Sequence, residues 1–391
     1  MDFYQLMIDR SDELINMRRT LHRHPELSNQ EYQTASYIEK KLDEWGIPHE
    51  RVGDTGVYAE ISGGKGNGRI VVLRADMDAL PIQEENQVDY RSECDGVMHA
   101  CGHDMHTASL LAAAHVLQEY RDQFAGTVRL IFQQAEEIGE GARLFVAAGK
   151  LKDAYRVFGI HTAPDLNVGT VGIKDGPNNA SVDCFKVTIH GKAAHVSTPQ
   201  LGVDAVYVAA QIIVALQAQV TRKTSPIDSV IIGIGKLNAG TAYNIVAETA
   251  KFEGTTRLFT HALRTQVNDA VTRTVKTIAE LYGAEADIEW RDFTPPLENP
   301  LDICEEVRSF ASDMLGANAV TNQRALSCGG DNFADLQLAV PGVYAYVGVR
   351  SDEVPGSAGP LHNSHYNIDE RALPVGAAMY AQVAWRWLTN S

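Results

Sequence analysis

Apolar positions in the first forty-odd residues recur at helical spacing in two runs. The run LINMRRTLHRH stops at Pro25, and a second, YQTASYIEKKLDEW, begins after Ser28 and Asn29 and ends at Gly46, a residue suited to a helix C-terminus. Two short apolar stretches follow, VYAEIS and RIVVLRAD, separated by the turn-prone GGKGNG, and these predict strands. Beyond a polar loop, HTASLLAAAHVLQEYRDQF predicts a long helix, and TVRLIFQQ and RVFGIH predict two more strands. Strands interleaved with helices predict an α/β sheet covered on both faces.

Near residue 180 the pattern changes. A strand (VDCFKVTIHG), a helix (VDAVYVAAQIIVALQAQV), two strands (SVIIGIGKLN and IVAETAKFEGTTR), a long helix (TQVNDAVTRTVKTIAELYG) and a last strand (EADIEWRDF) follow in turn. This βαββαβ order is a complete ferredoxin-like unit. Pro295, Pro296 and Pro300 then mark a linker, after which helix and strand signals resume. With 391 residues the chain exceeds one ordinary core. The expected fold class is therefore α/β in two domains. The first is a mixed-sheet α/β/α domain formed by residues 1–180 and 295–391, and the second is inserted at 181–294.

Charge and cysteine content narrow the classes of function. With 34 Lys and Arg against 50 Asp and Glu the net charge is −16, so a phosphate backbone is repelled and nucleic acid is not an expected partner. The N-terminus MDFYQLMIDRSDEL lacks the basic run and apolar stretch of a signal peptide, and nothing approaches roughly 18 uninterrupted apolar residues, so no membrane partner is expected. Five widely spaced cysteines in a long chain speak against a disulfide framework, and a cytoplasmic location is the expectation.

Candidate chemistry sits where apolar strands run out. RIVVLRAD leads into Asp76 and Asp78, TVRLIFQQA into Glu136 and Glu137, and RVFGIH ends in His161, while MHACGHDMH precedes the long helix. In open α/β sheets ligands bind outside the carboxyl ends of the strands, so these positions could converge. Alternate spacing in His99-Ala-Cys101-Gly-His103 places side chains on one side of an extended loop, and a thiolate beside an imidazole suits a borderline-soft divalent cation. Read alone, Cys101 and His103 are equally a buried small residue and a core histidine. Asp104 reads as a helix cap, and His99 and His106 as structural or supporting groups. Glu136 and Glu137, adjacent in extended geometry, point opposite ways, so one can hold a metal and the other a water. Asp76 and Asp78 share a face, as turn caps or as carboxylates orienting a ligand histidine. His161 and His362 stand alone locally, and position does not separate His362 from His365. His195, Asn244 and Arg257, in the inserted domain, read as ordinary polar surface.

Taken together, MHACGHDMHTA at 98 to 108, QQAEE at 133 to 137, GIH at 159 to 161, HGKAAH at 190 to 195, GTAYNIV at 240 to 246 and FEGTTR at 252 to 257 resemble the aminoacylase and hippurate hydrolase group of metallopeptidases. This group includes auxin-conjugate hydrolases and N-acetyldiaminopimelate deacetylases. LRADMDALPI at 73 to 82 and HNSHYNIDE at 362 to 370 belong to the same pattern. The resemblance implies two divalent metal ions held by Cys101, His103, Glu137, His161 and His362, with Glu136 as catalytic acid and base and Asp78 as an orienting carboxylate. It implies that the inserted domain is a lid and dimer surface, with His195, Asn244 and Arg257 facing a small N-acyl amino acid. Departures fall at Gln134, Ala193, Ala194, Asp331, Asn332, Ser364 and Tyr366, and none removes a matched ligand or the base.

Five protein ligands exceed the three plus water of a catalytic zinc, so a pair of cations is the economical count. Thiolate and imidazole favour zinc and carboxylates tolerate manganese, with nickel or cobalt as further options. The expected reaction is hydrolysis of the amide of an N-acyl amino acid, Glu136 serving as base, His195 helping the oxyanion, and Arg257 with Asn244 gripping the carboxylate. Two alternatives stand beside it: a cysteine hydrolase using Cys101 as nucleophile, and a metal-stabilised binding protein without activity.

Overall fold

The computed structural model describes residues 1–389, and the chain divides into two compact units. The first comprises Met1–Gly176, Asn299–Ala325 and Asn332–Ser391, and the second Pro177–Glu298 and Leu326–Asp331. The short piece Leu326–Asp331 falls outside the inserted span expected from sequence. It joins the second unit because Ser327 pairs with the chain at 178–180, its N–H donating to the Asn178 carbonyl (2.9 Å) and its own carbonyl accepting from the Ala180 N–H (2.9 Å).

The first unit is built on an eight-stranded mixed sheet. Its strand order is His49–Val52, Gly56–Ser62, Thr127–Gln133, Ile70–Asp76, Arg156–Asn167, Gly342–Arg350, Val171–Gly172 and Val320–Thr321. The strand Ile70–Asp76 runs parallel to both its neighbours, and Gly342–Arg350 continues the parallel centre beside Arg156–Asn167. Four chain segments thus leave the sheet side by side at their carboxyl ends, the arrangement that concentrates loops at one edge. Alternation along Ile70–Asp76 divides its side chains: Val71, Leu73 and Ala75 enter the main apolar core, while Arg74 and Asp76, also fully buried, take the opposite face.

Helix His103–Glu119 is buried along nearly its whole length, including Leu110, Leu111, Val116 and Leu117. A helix apolar on all sides belongs in a core, and this one packs against Ala372–Thr389 and the central strands. Its first residue, His103, is therefore fixed by one of the most rigid elements of the unit. Several short elements are absent from the sequence reading, among them the helix Phe3–Ile8 and the edge strand His49–Val52. Both are short, which leaves too few periodic positions to register.

The second unit carries the elements Val182–His190, Ala205–Ala218, Val230–Ala239, Thr249–Leu258, His261–Leu281 and Glu285–Thr294 in βαββαβ order. Its four-stranded antiparallel sheet runs Val230–Ala239, Thr249–Leu258, Val182–His190, Glu285–Thr294. The run IVAETAKFEGTTR, read from sequence as one strand, is two: Ile245–Val246 pairs with Ala194–His195, and Thr249–Leu258 enters the main sheet. The segment Ala205–Lys223 is long and apolar enough to match a membrane span by length and composition. Ala205, Val208, Ala209, Ile212 and Leu216 place one of its faces in this unit's core, as expected for a helix on a sheet.

Candidate metal centre

The twin glutamates follow the strand Thr127–Gln133. Ala135, fully buried, takes a left-handed conformation with φ 51°, and a turn follows in which the Gly139 N–H donates to the Glu136 carbonyl (2.8 Å). This overturns the expectation that Glu136 and Glu137 point opposite ways along an extended chain. In the turn both carboxylates come within 4.8 Å of the His103 ring nitrogen and of each other. A second expectation fails for a similar reason. Cys101 and His103 converge because Gly102 turns the chain at φ 89° and His103 starts a helix, not because the loop is extended. A Cβ at 102 would lie 2.6 Å from the Thr162 side chain, so glycine serves both conformation and close approach there. His161 lies within a strand that runs on to Asn167 rather than at its end. It reaches the site because the neighbouring strand Ile70–Asp76 stops pairing at Gly159, leaving His161 just beyond its neighbour's last ladder partner.

These turns assemble two donor groups that share one sulfur. Cys101, His103 and His161 present donor atoms within 4.8 Å of one another, and so do Cys101, Glu137 and His362. The His161 Nε2 is 3.5 Å from the Cys101 sulfur, and the His362 Nε2 is 3.4 Å from Glu137 Oε1. His362 is itself at φ 61°, its N–H donating to the Ala100 carbonyl (2.8 Å), and its ring is half exposed. His365, which sequence position alone could not set aside, pairs instead with exposed Glu85.

The supporting hydrogen bonds decide the tautomers. His103 Nδ1 is 2.8 Å from the Asp78 carbonyl and His161 Nδ1 is 2.8 Å from the Thr162 carbonyl, so each donates from Nδ1 and keeps a lone pair on Nε2. Asp78 takes hydrogen bonds on Oδ2 from Ser28 Oγ (2.7 Å) and the Glu137 N–H (3.0 Å), and its Oδ1 is 3.3 Å from His103 Nδ1. His106 is engaged at both ends. Its Nε2 accepts from the Thr162 N–H (2.9 Å), which places its proton on Nδ1, donated to Asp76 Oδ1 (2.5 Å). Asp76 in turn is paired with buried Arg74 at 2.8 Å. Asp104 binds Arg18 (2.7 Å) and His22 (2.7 Å). It sits in the first turn of its helix rather than at the cap, which is Gly102. The buried His99 leaves both ring nitrogens without a partner among the described residues.

Electrostatics identify what this donor set lacks. Burial pushes the Cys101 thiol well above its ordinary range and the nearby Glu137 charge adds to it. Burial, with His106 close by, pushes His161 well below its own. Burial opposes charge on His103 most strongly, but Asp76, Cys101 and Asp78 together outweigh it and carry that pKa upward. Among the described residues His103 Nε2 and Glu137 Oε1 are buried without a hydrogen-bond partner. An imidazole lone pair and a carboxylate oxygen facing each other at 3.8 Å in a buried site are costly unless a proton or a cation lies between them. A thiol, three imidazoles and a carboxylate fit that need for a borderline-soft divalent ion, and the sharing of Cys101 between two groups fits a pair.

Glu136 lies beside these donors, within 4.8 Å of His103 and Glu137 donor atoms. Its Oε1 accepts from the Asn332 N–H (3.1 Å), and Asn332 is fixed in turn by Arg74 and Gln133, both donating to its Oδ1. Neither Arg74 nor Asn332 was singled out as a site residue from sequence, although a charged residue inside the apolar run RIVVLRAD is a signal that something buried must answer it. Gln134, one of the departures, donates to the Val52 carbonyl (3.0 Å), and its side chain fills the space that a Cβ at Gly56 would occupy.

The remaining predicted residues lie in the second unit. His195 Nδ1 is 2.7 Å from Ser197 Oγ, and the strand pairing Ile245↔His195, with Val196 N–H donating to the Asn244 carbonyl (3.1 Å), puts His195 and Asn244 side by side on its surface. Arg257 lies in the strand Thr249–Leu258 and donates to Thr255 Oγ1 and to the Thr256 carbonyl.

A buried donor set of this kind at the carboxyl ends of parallel strands defines a metal-dependent hydrolase. The chain belongs to the peptidase family M20/M25/M40, whose profile matches residues 72–386. It is 41% identical over 373 residues to the N-acetylcysteine deacetylase of Bacillus subtilis, covering 95% of this chain and 96% of that one. It is 34% identical over 382 residues to the IAA-amino acid hydrolase ILR1-like 4 of Arabidopsis thaliana, covering 96% and 86%. Among solved structures, a dinuclear metal-binding peptidase of the M20 family from Bacillus subtilis matches with a TM-score of 0.83 and 39% identity, covering 97% of this chain and 98% of the other. These relatives bear out the resemblance read from the motifs, and with the family they make the protein a metal-dependent amidohydrolase.

Proposed function

We propose that the protein hydrolyses the amide bond of small N-acyl amino acids, with N-acetyl and aromatic-acyl substrates the first to test. The observation that carries this reading is the sharing of Cys101 between two donor groups, with the Glu136 carboxylate beside them but held separately by the Asn332 N–H. Cys101, His103 and His161 would hold one cation and Cys101, Glu137 and His362 the other, with zinc or manganese favoured and nickel or cobalt admissible. Bound there, such ions lower the pKa of water and polarise a carbonyl.

The chain's own groups do the rest. Glu136 takes the proton of the attacking water and later delivers it to the leaving amine. Asp78 keeps the His103 ring in the tautomer that presents Nε2, and Thr162 does the same for His161. In the second unit, the family resemblance assigns His195 to the developing oxyanion and Asn244 with Arg257 to the substrate carboxylate, which a guanidinium fork matches. The same resemblance supports a lid role for that unit and a homodimer formed through it, and the widely spaced, unpaired cysteines favour a cytoplasmic enzyme.

Burial of Cys101 and the neighbouring Glu137 disfavour a free thiolate, which weighs against Cys101 as nucleophile. The test is Glu136→Gln assayed on a panel of N-acetyl and N-benzoyl amino acids, with metal content measured on the same protein. Turnover should fall by about 10²–10⁴-fold while metal is retained. Undiminished turnover removes Glu136 as base, and an acyl adduct on Cys101 would replace this mechanism with the cysteine one.

A further inference from the structure

We propose that Glu31 and Ser28 are positioning residues for Glu136, together gripping the backbone on both sides of it. The inference rests on the reading of Glu136 as the base. On the N-terminal side, Glu31 Oε1 accepts the Ala135 N–H at 2.9 Å. On the C-terminal side, Asp78 Oδ2 accepts the Glu137 N–H at 3.0 Å, and the same oxygen is fixed by Ser28 Oγ at 2.7 Å. The peptide groups flanking Glu136 are thus tied to one short stretch of chain more than a hundred residues earlier.

Three features separate this from incidental packing. Ala135 holds φ 51° although it carries a Cβ, a conformation that persists only where its surroundings impose it. Its carbonyl is already taken by the Glu140 and Gly141 N–H groups (3.1 and 3.3 Å), so Glu31 supplies the remaining hold, on its N–H. Next, Glu31 is fully buried, and the donors that meet it among the described residues are neutral: the Ala135 N–H, Thr55 Oγ1 (2.7 Å) and its own backbone N–H. Burial raises its pKa, and a buried carboxylate answered by neutral donors is an expensive way to hold a loop unless the strength of a charge-assisted hydrogen bond is needed. Finally, the segment bearing both residues is itself anchored. Glu26 accepts from the N–H groups of Gln33 (3.1 Å) and Thr34 (2.8 Å) at the start of the helix Tyr32–Glu44. Its carbonyl accepts from Ala79 N–H (2.8 Å), and Asn29 Nδ2 donates to Glu140 Oε2 (3.0 Å).

The test compares Glu31→Ala, Glu31→Gln, Ser28→Ala and the pair Glu31→Ala with Ala135→Gly. Steady-state kinetics on N-acetyl amino acids are run on metal-loaded enzyme, and amide hydrogen exchange over residues 133–140 on the metal-free protein. Misplacement of a reacting group by about 1 Å can cost about 10²-fold, so Glu31→Ala should lower kcat by about that factor, with KM and metal content unchanged and exchange at Ala135 accelerated. Glu31→Gln keeps an acceptor oxygen and should retain kcat within about fivefold. Adding Ala135→Gly, which takes positive φ without support, should recover about tenfold of the loss. Glu31→Ala with unchanged kcat and unchanged exchange overturns the proposal. If Glu31→Ala does not fold, Ser28→Ala decides: a drop in kcat of about three- to tenfold with faster exchange at Glu137 supports it, and wild-type values of both overturn it. If Glu136→Gln keeps its turnover, the functional reading fails, while the exchange measurements still judge the brace.

Discussion

Replacing Asp76 by Asn removes one charge from an ion pair in which both partners are fully buried. Burial works against the Asp76 charge, but Arg74, His103 and His106 hold its carboxyl well below the usual carboxylate range. In the variant the Arg74 guanidinium keeps hydrogen bonds to Gln133 Oε1 (2.8 Å), Asn332 Oδ1 (3.0 Å) and the Tyr344 hydroxyl (3.3 Å). Nor can one amide serve both former partners. If its oxygen accepts from His106 Nδ1–H, its NH₂ faces Arg74, and if its oxygen turns to Arg74, its NH₂ faces a nitrogen that must itself donate. Breaking a buried pair by removing one partner costs about 3–5 kcal/mol. At about 2 °C per kcal/mol for a unit of this size, the expected fall in Tm is about 6–10 °C. The measurement is scanning calorimetry on chelated protein, because bound cations would add their own stabilisation. Adding Arg74→Met should recover at least half of the loss, since it removes the buried charge that Asp76 had answered. A fall of less than about 2 °C in Asp76→Asn would show that Arg74 finds its counter-charge elsewhere, and the account of this network would be wrong.

Three further outcomes follow from the same geometry. Chelation should abolish amide hydrolysis and lower Tm, with about 4 kcal/mol at stake for ions present at a thousandfold their Kd, and both should return with divalent metal; activity in protein without detectable metal would refute the metal requirement. His362→Ala should reduce bound metal from two ions per chain to about one and turnover by about 10²–10³-fold with unchanged circular dichroism, whereas two ions retained by elemental analysis would remove His362 from the donor set. Burial opposes charge on His22 and Arg18 repels it, yet contact with Asp104 (2.7 Å) and Glu84 (3.1 Å) carries its pKa upward. A raised pKa gives stability that is complete below the unfolded value of about 6.5 and is lost as pH climbs through the folded value. His22→Gln should therefore cost more in urea midpoint at pH 6 than at pH 9, and equal losses would contradict a charged His22.

The α/β order was legible because each central strand is a dense apolar run bounded by turn residues, a pattern that strands buried on both faces must carry. The βαββαβ order of the second unit was legible for a different reason: Val182–His190 alternates buried positions with more open ones, Glu285–Thr294 alternates half-buried with exposed ones, and the helices between them carry one apolar stripe. Motifs brought the five donors together before any geometry was known. Local conformation was misjudged where a single backbone angle decides it, at Gly102 and Ala135, because an extended loop and a left-handed turn share the same letters. Ser28 and Glu31 gave no signal at all. Their partners lie 50 and 104 positions away, and no periodicity connects a serine ahead of a helix to a carboxylate at a strand end.

Twin glutamates are the sharpest case of what sequence leaves open, since nothing in the letters separates base from ligand. The structure surrounds their carboxylates differently. Asp76 has Arg74 and His106, Asp78 has Ser28 and the Glu137 N–H, and Glu31 has Thr55 and the Ala135 N–H. Glu136 Oε1 is tethered by the backbone N–H of Asn332, a restraint that orients the carboxylate. Glu137 is set differently: its Oε1 is buried, meets no hydrogen-bond donor among the described residues, and lies 3.8 and 3.4 Å from His103 Nε2 and His362 Nε2. A buried carboxylate oxygen beside two imidazole nitrogens needs a proton or a cation among them, which is why Glu137 is proposed as the ligand and the base is left to be tested at Glu136.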